Sequence, residues 1–169
     1  FSFGSKFPNI IKIVVKTLNE YFSDMIDIVF KHNGTLDKII GDELMIVYGA
    51  PISTEQDTVK AVKTAIEMQQ RIKDINKERI KRKEPEILVG AGINTGSVIS
   101  GNIGSRDMMD YTVIGDTVNI AARLCSAAKP GEILVSNPVY NETKKNFNYK
   151  KLEPVFVKGK KEAIGLYSV

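Results

Sequence analysis

The chain has 169 residues with a formal net charge of +4, and 43% of its residues are apolar. This length predicts one domain, residues 1–169, with a substantial core. The small positive surplus suits a polyanionic ligand but does not indicate nucleic acid. One cysteine excludes an internal disulfide, and one histidine excludes a site with several histidine ligands. No apolar stretch is long enough to cross a bilayer, so we expect a soluble domain in a reducing compartment, the cytoplasm.

The first half of the chain predicts a helix, a hairpin and a second helix. Apolar residues recur at intervals of three and four from Ile10 to Val29, which is the spacing of an amphipathic helix. Two apolar runs then meet at Gly41-Asp42, which predicts two strands joined by a tight turn. Ser53 and Gln56 have capping-box spacing and predict the start of a long helix that reaches about Lys81.

The second half predicts further strands around a third helix. Leu88 to Thr95 has a β-type pattern, and Ser97 to Ile103 is predicted to be its hairpin partner. A later strand leads into a helix that begins near Asp116 and ends before Lys129. The remaining predicted elements are a strand at Ile133 to Ser136, a short helix near Val139 to Lys144 and two β segments around Val155 and Leu166.

The order of the predicted elements indicates an α+β fold, with helices on one face of a largely antiparallel sheet. If a strand precedes the first helix in the intact protein, the first half has the ferredoxin-like βαββαβ arrangement. The remaining elements are then C-terminal α/β additions to that core. We expect the chain to be a piece of a longer protein, with fused regulatory or membrane segments outside these residues.

Basic residues crowd the end of the second predicted helix, where positive charge complements the helix dipole. They are Arg71, Lys73, Lys77, Arg79, Lys81, Arg82 and Lys83. A solvated helix end is the favoured interpretation, and an acidic partner or a membrane surface is the alternative.

Two segments carry residues that suit a phosphate or a cation. Asp42 lies at the predicted hairpin tip, where a carboxylate is free to bind a cation, although an aspartate in a turn also bonds its own backbone. Asn119 and Arg123 are four residues apart on one helix face, and such a pair suits phosphate oxygens or a sugar edge. An exposed asparagine beside an arginine that pairs with an acid explains them equally well. The basic run Val157 to Lys161 suits a triphosphate or an ordinary turn.

Taken together in this order, the segments resemble the catalytic domain of class III adenylate and guanylate cyclases over nearly the whole chain. The matched strings are Leu18-Asn19-Glu20-Tyr21-Phe22, Gly34 to Asp42 with Gly49-Ala50-Pro51, Gly90 to Gly96, Gly115 to Arg123 and Val157-Lys158-Gly159-Lys160. The resemblance implies a class III cyclase homology domain. It also implies attack of a ribose 3′-hydroxyl on the α-phosphorus of its own triphosphate, with two divalent cations, Mg²⁺ or Mn²⁺.

The resemblance also implies a role for individual residues. Asp42 is similar to a metal ligand of the family, and Asn119 to the residue that orients the ribose. Arg123 is similar to the residue that meets charge developing at the α-phosphate. Lys158 and Lys160 are similar to residues that hold the terminal phosphates.

Two further residues imply a preference for ATP. Lys38 and Thr112 resemble the pair that reads the purine in the family. Adenine offers an acceptor at N1 and an amine at N6, which match a lysine donor and a hydroxyl acceptor, whereas guanine reverses both groups. Threonine at position 112 is similar to the subgroup called class IIIb, so bicarbonate is a hypothetical activator.

The chain departs from the family in one respect. The family has a second metal aspartate, in a strand of the type Phe-x-Asp-Ile that precedes a Gly-Phe-Thr loop, and this chain passes from Phe1-Ser2 to Phe3 without it. We expect that aspartate to follow Ser2 in the intact protein. A chain that truly lacks it would be a catalytically inactive, nucleotide-binding regulatory domain.

Sites of this family are shared between two subunits, so the resemblance implies a head-to-tail homodimer. A ferredoxin-like module that binds nucleic acid is a third interpretation. It would require aromatic residues on exposed strands and a basic sheet face. Tryptophan is absent and the basic cluster lies at a helix end, so we expect no nucleic-acid partner.

Overall fold

Twelve elements are present in residues 8–106, 109–155 and 164–169, which a computed structural model describes. In chain order they are α1 (Pro8–Lys31), β1 (Thr35–Ile40), β2 (Glu43–Val47), α2 (Asp57–Lys81), β3 (Ala91–Ile93), β4 (Ile99–Gly104), β5 (Met109–Ile114), α3 (Asp116–Ala127), β6 (Ile133–Ser136), α4 (Asn137–Thr143), β7 (Lys150–Val155) and β8 (Ile164–Ser168). The predicted α+β class is therefore correct.

The strands form one four-stranded sheet and two separate hairpins within the described residues. The order in the large sheet is β3-β6-β8-β7, where β3 is parallel to β6 and the other pairs are antiparallel. The hairpins are β1–β2 and β4–β5. The predicted hairpin between Leu88–Thr95 and Ser97–Ile103 is wrong, because β3 pairs with β6 and β4 pairs with β5. A strand pattern identifies a strand but does not identify its partner.

Helices cover both faces of the large sheet, and the prediction of one covered face is therefore wrong. Ile133 and Val135 pack against α2 in one buried cluster, whereas Leu134 packs with Leu124 of α3 in another. Side chains alternate between the faces of a strand, so β6 contacts a helix on each side. All four residues of β6 are buried, as expected for a strand covered on both faces.

The two long helices pack against each other through a third apolar cluster. It contains Tyr21, Met25 and Ile28 of α1 together with Ile72 of α2. No helix in the described part of the chain is long and apolar enough to span a membrane.

The start of α2 differs from the predicted capping box. The helix begins at Asp57, and Gln56 occupies the N-cap position without a side-chain cap. The carboxylate of Asp57 instead accepts hydrogen bonds from the hydroxyl groups of Ser53 and Thr54 and from the Thr54 backbone N–H. This carboxylate organises the preceding turn and delays the first helical residue by about one turn.

The end of α2 is a solvated helix end with local ion pairs, as the favoured interpretation predicted. Lys77 pairs with Asp74 and Lys81 pairs with Glu78 on exposed helix surface. Arg79 is the exception, because it is buried and donates from Nε to the backbone carbonyl of Pro85 at 2.7 Å. Arg79 thereby holds the segment around Pro85 against the end of α2.

Candidate active site

The β1–β2 hairpin places Asp42 at its exposed tip. Ile40 pairs with Glu43, so Gly41 and Asp42 form a two-residue turn. Gly41 has a φ of +65° at the first turn position, which glycine adopts without strain. Burial raises the pKa of Tyr21 in α1 to about 12, and the Asp42 carboxylate contributes to that rise. The charge of Asp42 therefore acts on a side chain of α1.

Lys38 and Thr112 lie together, as the predicted purine-reading pair requires. Thr112 of β5 is buried, and its hydroxyl donates to Oδ2 of Asp37 at 2.9 Å. The Lys38 ammonium lies 3.3 Å from the same oxygen. The two residues therefore share one carboxylate between the two hairpins.

Asp37 is a site residue that the sequence patterns did not identify. Its position directly before Lys38 places it on the opposite face of a regular strand, away from the lysine side chain. A β-bulge changes this geometry, and the ladder shifts register between Leu36 and Lys38. A bulge of this kind has no signal in the apolar pattern of the strand.

The first turn of α3 is fastened to the segment after β3. The amide of Asn94 donates to the Thr117 carbonyl at 3.0 Å, and the Thr117 hydroxyl donates to the Ser97 carbonyl at 2.8 Å. Gly115 is the N-cap residue, and α3 begins at Asp116 as predicted. Asp116 lies in the first turn, where a negative charge complements the helix dipole.

Asn119 and Arg123 share one side of α3, as predicted. Asn119 is exposed and Arg123 is half-buried, whereas Leu124 faces the core. Ala122 is also exposed, beside them. Among the residues that the structure describes, Arg123 has no acidic partner of the kind that the alternative interpretation required.

The opposite side of α3 approaches β3 very closely at Gly92. A Cβ atom added there would lie 2.1 Å from the Cys125 backbone nitrogen and 2.6 Å from the Ala121 carbonyl oxygen. Cys125 is half-buried, and burial together with the Glu43 carboxylate raises the pKa of its thiol. A half-buried thiol with a raised pKa is a packed side chain and not an activated nucleophile.

The described residues contain no cluster of three or more His, Cys, Asp or Glu side chains that could hold a metal ion. Asp42 is exposed and offers carboxylate oxygen, the ligand type that Mg²⁺ and Mn²⁺ prefer. Mg²⁺ is often bound by one or two carboxylates together with substrate phosphates, so a single exposed aspartate fits such an ion. Lys158 and Lys160 lie outside the described residues.

Solved structures of nucleotide cyclases share this fold. The adenylyl cyclase CyaB from P. aeruginosa is 34% identical, with a TM-score of 0.88 over 93% of this chain and 82% of that one. The guanylyl cyclase Cya2 is also 34% identical, with a TM-score of 0.87 over 92% of this chain and 79% of that one. The two likenesses place the chain in a class of domains that includes both kinds of cyclase.

The family model for the adenylate and guanylate cyclase catalytic domain matches residues 8–168. Adenylate cyclase 1 of Rhizobium meliloti is 30% identical over 158 residues, which is 92% of this chain and 24% of that protein. An uncharacterized protein of Mycobacterium tuberculosis is 39% identical over 127 residues, 73% of this chain and 22% of that protein. The chain thus spans about a quarter of the length of these relatives. It belongs to the adenylate and guanylate cyclase catalytic domain family.

Proposed function

We propose that this domain is an adenylate cyclase that converts ATP to 3′,5′-cyclic AMP and pyrophosphate. The observation that carries the choice of ATP is the convergence of Lys38 and Thr112 on one carboxylate. The similarity to an adenylate cyclase of Rhizobium meliloti supports the same substrate. In this proposal Lys38 donates to adenine N1, and the Thr112 hydroxyl accepts from the N6 amine.

The remaining site residues act on the sugar and the phosphates. Asn119 orients the ribose so that its 3′-hydroxyl is in line with the α-phosphorus. Arg123 donates to the α-phosphate oxygens as negative charge develops there. Lys158 and Lys160 hold the terminal phosphates. Two divalent cations, held with Asp42 as a ligand, would supply charge neutralisation and activation of the attacking hydroxyl.

We further propose that the active sites form between the two chains of a homodimer. The β4–β5 ribbon supports this proposal, because it carries exposed apolar side chains on a hairpin that lies outside the large sheet. They are Ile99, Ile103, Met109, Tyr111 and Ile114. Ile99, Ile103 and Ile114 share one face of the hairpin, and exposed apolar side chains that lie together are typical of a protein interface. Bicarbonate as an activator stays a prediction from the threonine at position 112.

The direct test is cyclic nucleotide formation by the intact protein, from ATP and from GTP, with Mg²⁺ and with Mn²⁺. We expect cyclic AMP from ATP and at least about tenfold lower kcat/KM with GTP. Metal-dependent turnover of ATP would exclude an inactive regulatory domain. Cyclic GMP as the main product would contradict the assignment of ATP.

The shared site has a separate test, in which Asp42→Ala and Asn119→Ala chains are each inactive alone. When the two chains are mixed, half-sites from opposite subunits restore intact sites in the mixed dimer. We expect activity to return to about a quarter of the wild-type value, since random pairing gives half mixed dimers with one intact site each. Purified mixed dimers without any turnover would contradict a shared site.

A further inference from the structure

Asp37 is the extra residue of the bulge in the β1–β2 ladder. Leu36 pairs with Ile46 and Lys38 pairs with Met45, so no residue of β2 is opposite Asp37. Because a bulge changes the direction of the side chain that it carries, Asp37 and Lys38 converge. The side chain of Asp37 is only 5% exposed, and its carboxylate accepts a hydrogen bond from Thr112 and forms an ion pair with Lys38.

This buried carboxylate fixes the direction of the Thr112 hydroxyl. An ionised carboxylate only accepts hydrogen bonds, and a threonine hydroxyl has a single proton to donate. At 2.9 Å from Oδ2 of Asp37, that proton is committed to the aspartate. The lone pairs of the hydroxyl are then the groups that remain for a ligand.

The same carboxylate positions Lys38 beside Thr112. The ammonium group forms an ion pair with Oδ2 of Asp37 at 3.3 Å, and it carries N–H donors that a ligand can use. A fixed donor and a fixed acceptor thus lie side by side. Adenine N1 and the N6 amine complement them in that order.

Guanine does not complement this arrangement. Guanine carries an acceptor at O6 and an N–H donor at N1. Its O6 would face the acceptor oxygen of Thr112, and its N1–H would face the Lys38 ammonium group. Thr112 could donate to O6 only by releasing Asp37, which would leave a buried carboxylate with one hydrogen bond fewer.

We propose that Asp37 is a positioning residue that determines the preference for adenine by orienting Thr112 and Lys38. This inference rests on the proposed function, because it concerns the base that the same site accepts. Asp37 would thus affect specificity through its contacts with Lys38 and Thr112, without touching the base itself.

Asp37→Asn is the decisive variant. An amide has N–H groups that donate to the Thr112 oxygen, so the threonine proton becomes available to a base. We expect the ratio of kcat/KM for ATP to kcat/KM for GTP to fall at least about tenfold, mainly through KM. Asp74→Asn, the same change at an exposed position of α2, is the control that keeps the ratio. An Asp37→Asn enzyme that is slower with both nucleotides at an unchanged ratio would overturn the proposal.

The dependence on Thr112 is measured by combining two changes. Because Asp37 acts partly through the threonine hydroxyl and partly through Lys38, Asp37→Asn should change the ratio less in a Thr112→Val background than in the wild type. Independent, multiplying effects of the two changes would contradict this route. The conservative variant Thr112→Ser keeps the hydroxyl and should keep the preference.

A measurement on the wild-type protein applies if Asp37→Asn does not fold. Inosine triphosphate carries O6 and an N1–H, whereas purine riboside triphosphate has neither. We expect the inosine nucleotide to compete with a fluorescent ATP analogue about tenfold less well than the purine riboside nucleotide. Equal competition would show that the hydroxyl is free to turn, which overturns the proposal.

The same competition assay separates the two proposals, because it needs no turnover. A wild-type domain that binds GTP better than ATP contradicts both. A wild-type domain that prefers ATP, with the same preference in Asp37→Asn, contradicts only the role of Asp37.

Discussion

Gly92 is the residue of β3 against which α3 packs most closely. The helix backbone lies so close to β3 that no side chain fits between them. The face of α3 that carries Asn119 and Arg123 is opposite to this contact. The packing of one glycine therefore controls where the proposed ribose and phosphate contacts lie.

Gly92→Ala should lower the free energy of unfolding by about 3 kcal/mol, because the added Cβ overlaps backbone atoms that cannot move aside. Gly101→Ala in β4 is the matched control, since a Cβ at that position meets nothing within 4 Å. Urea unfolding of both variants measures the difference. Equal stability of Gly92→Ala and Gly101→Ala would show that α3 does not pack as described.

Sequence reasoning identified residues at this scale when their chemistry was unusual for their position. A carboxylate at a predicted hairpin tip and an amide beside a guanidinium on one helix face are visible in the sequence. Asp37 was not identified, although it is adjacent to Lys38, because strand alternation predicts that neighbours diverge. The bulge that brings them together depends on pairing with β2, which local sequence does not encode.

Glu67 connects the two long helices at the end of α1. Its carboxylate accepts from the Lys31 ammonium at 2.6 Å and lies 2.7 Å from Nε2 of His32. The hydrogen bond from Lys31, followed by that from His32, holds the pKa of Glu67 below its usual value. The carboxylate thus stabilises the fold when ionised, and the stabilisation is lost as pH falls through its lowered pKa.

Glu67→Gln should remove this pH-dependent stabilisation. Because both partners are partly exposed, we expect the free energy of unfolding at neutral pH to fall by only about 0.5 kcal/mol. The difference from wild type should shrink as pH is lowered from about 5 to below 4, where the wild-type carboxylate also becomes neutral. Glu55→Gln, in the exposed loop before α2, is the control. A difference that is constant from pH 7 to pH 3.5 would contradict the role of ionised Glu67.

Elements were predicted well where local signals were strong. The strand Ile133–Ser136 has the predicted bounds, and the third helix begins at the predicted Asp116. The pairing of β3 was predicted wrongly because its partner lies beyond β4, β5 and α3 in the chain. Parallel pairing requires such a crossover, and a short apolar run carries no information about it.

The β4–β5 hairpin lies outside the large sheet and carries exposed apolar side chains. In β4–β5, Ile99 is directly opposite Ile114, and both are exposed. Neighbouring side chains on one face of a hairpin form a continuous surface. In the proposed homodimer this surface is covered by the second chain.

Ile99→Lys should weaken the dimer at least about tenfold, because a charge would be buried without a partner. Ile80→Lys is the matched control on the outer side of α2, where an isoleucine is also exposed. Sedimentation velocity gives the dissociation constants, and cyclase assays should show a parallel loss of activity. A dimer of unchanged affinity in Ile99→Lys would place the interface elsewhere.

The two hairpins meet through the side chains of Asp37 and Thr112 and share no strand ladder in the described residues. In the proposed site, replacing either side chain should change which base is preferred, and neither change removes a backbone pairing within the hairpins. Under the proposed function, single substitutions at these two positions exchange one nucleobase for another while both hairpins keep their strand pairing. The chain's comparable likeness to an adenylyl and a guanylyl cyclase is what this freedom would leave behind.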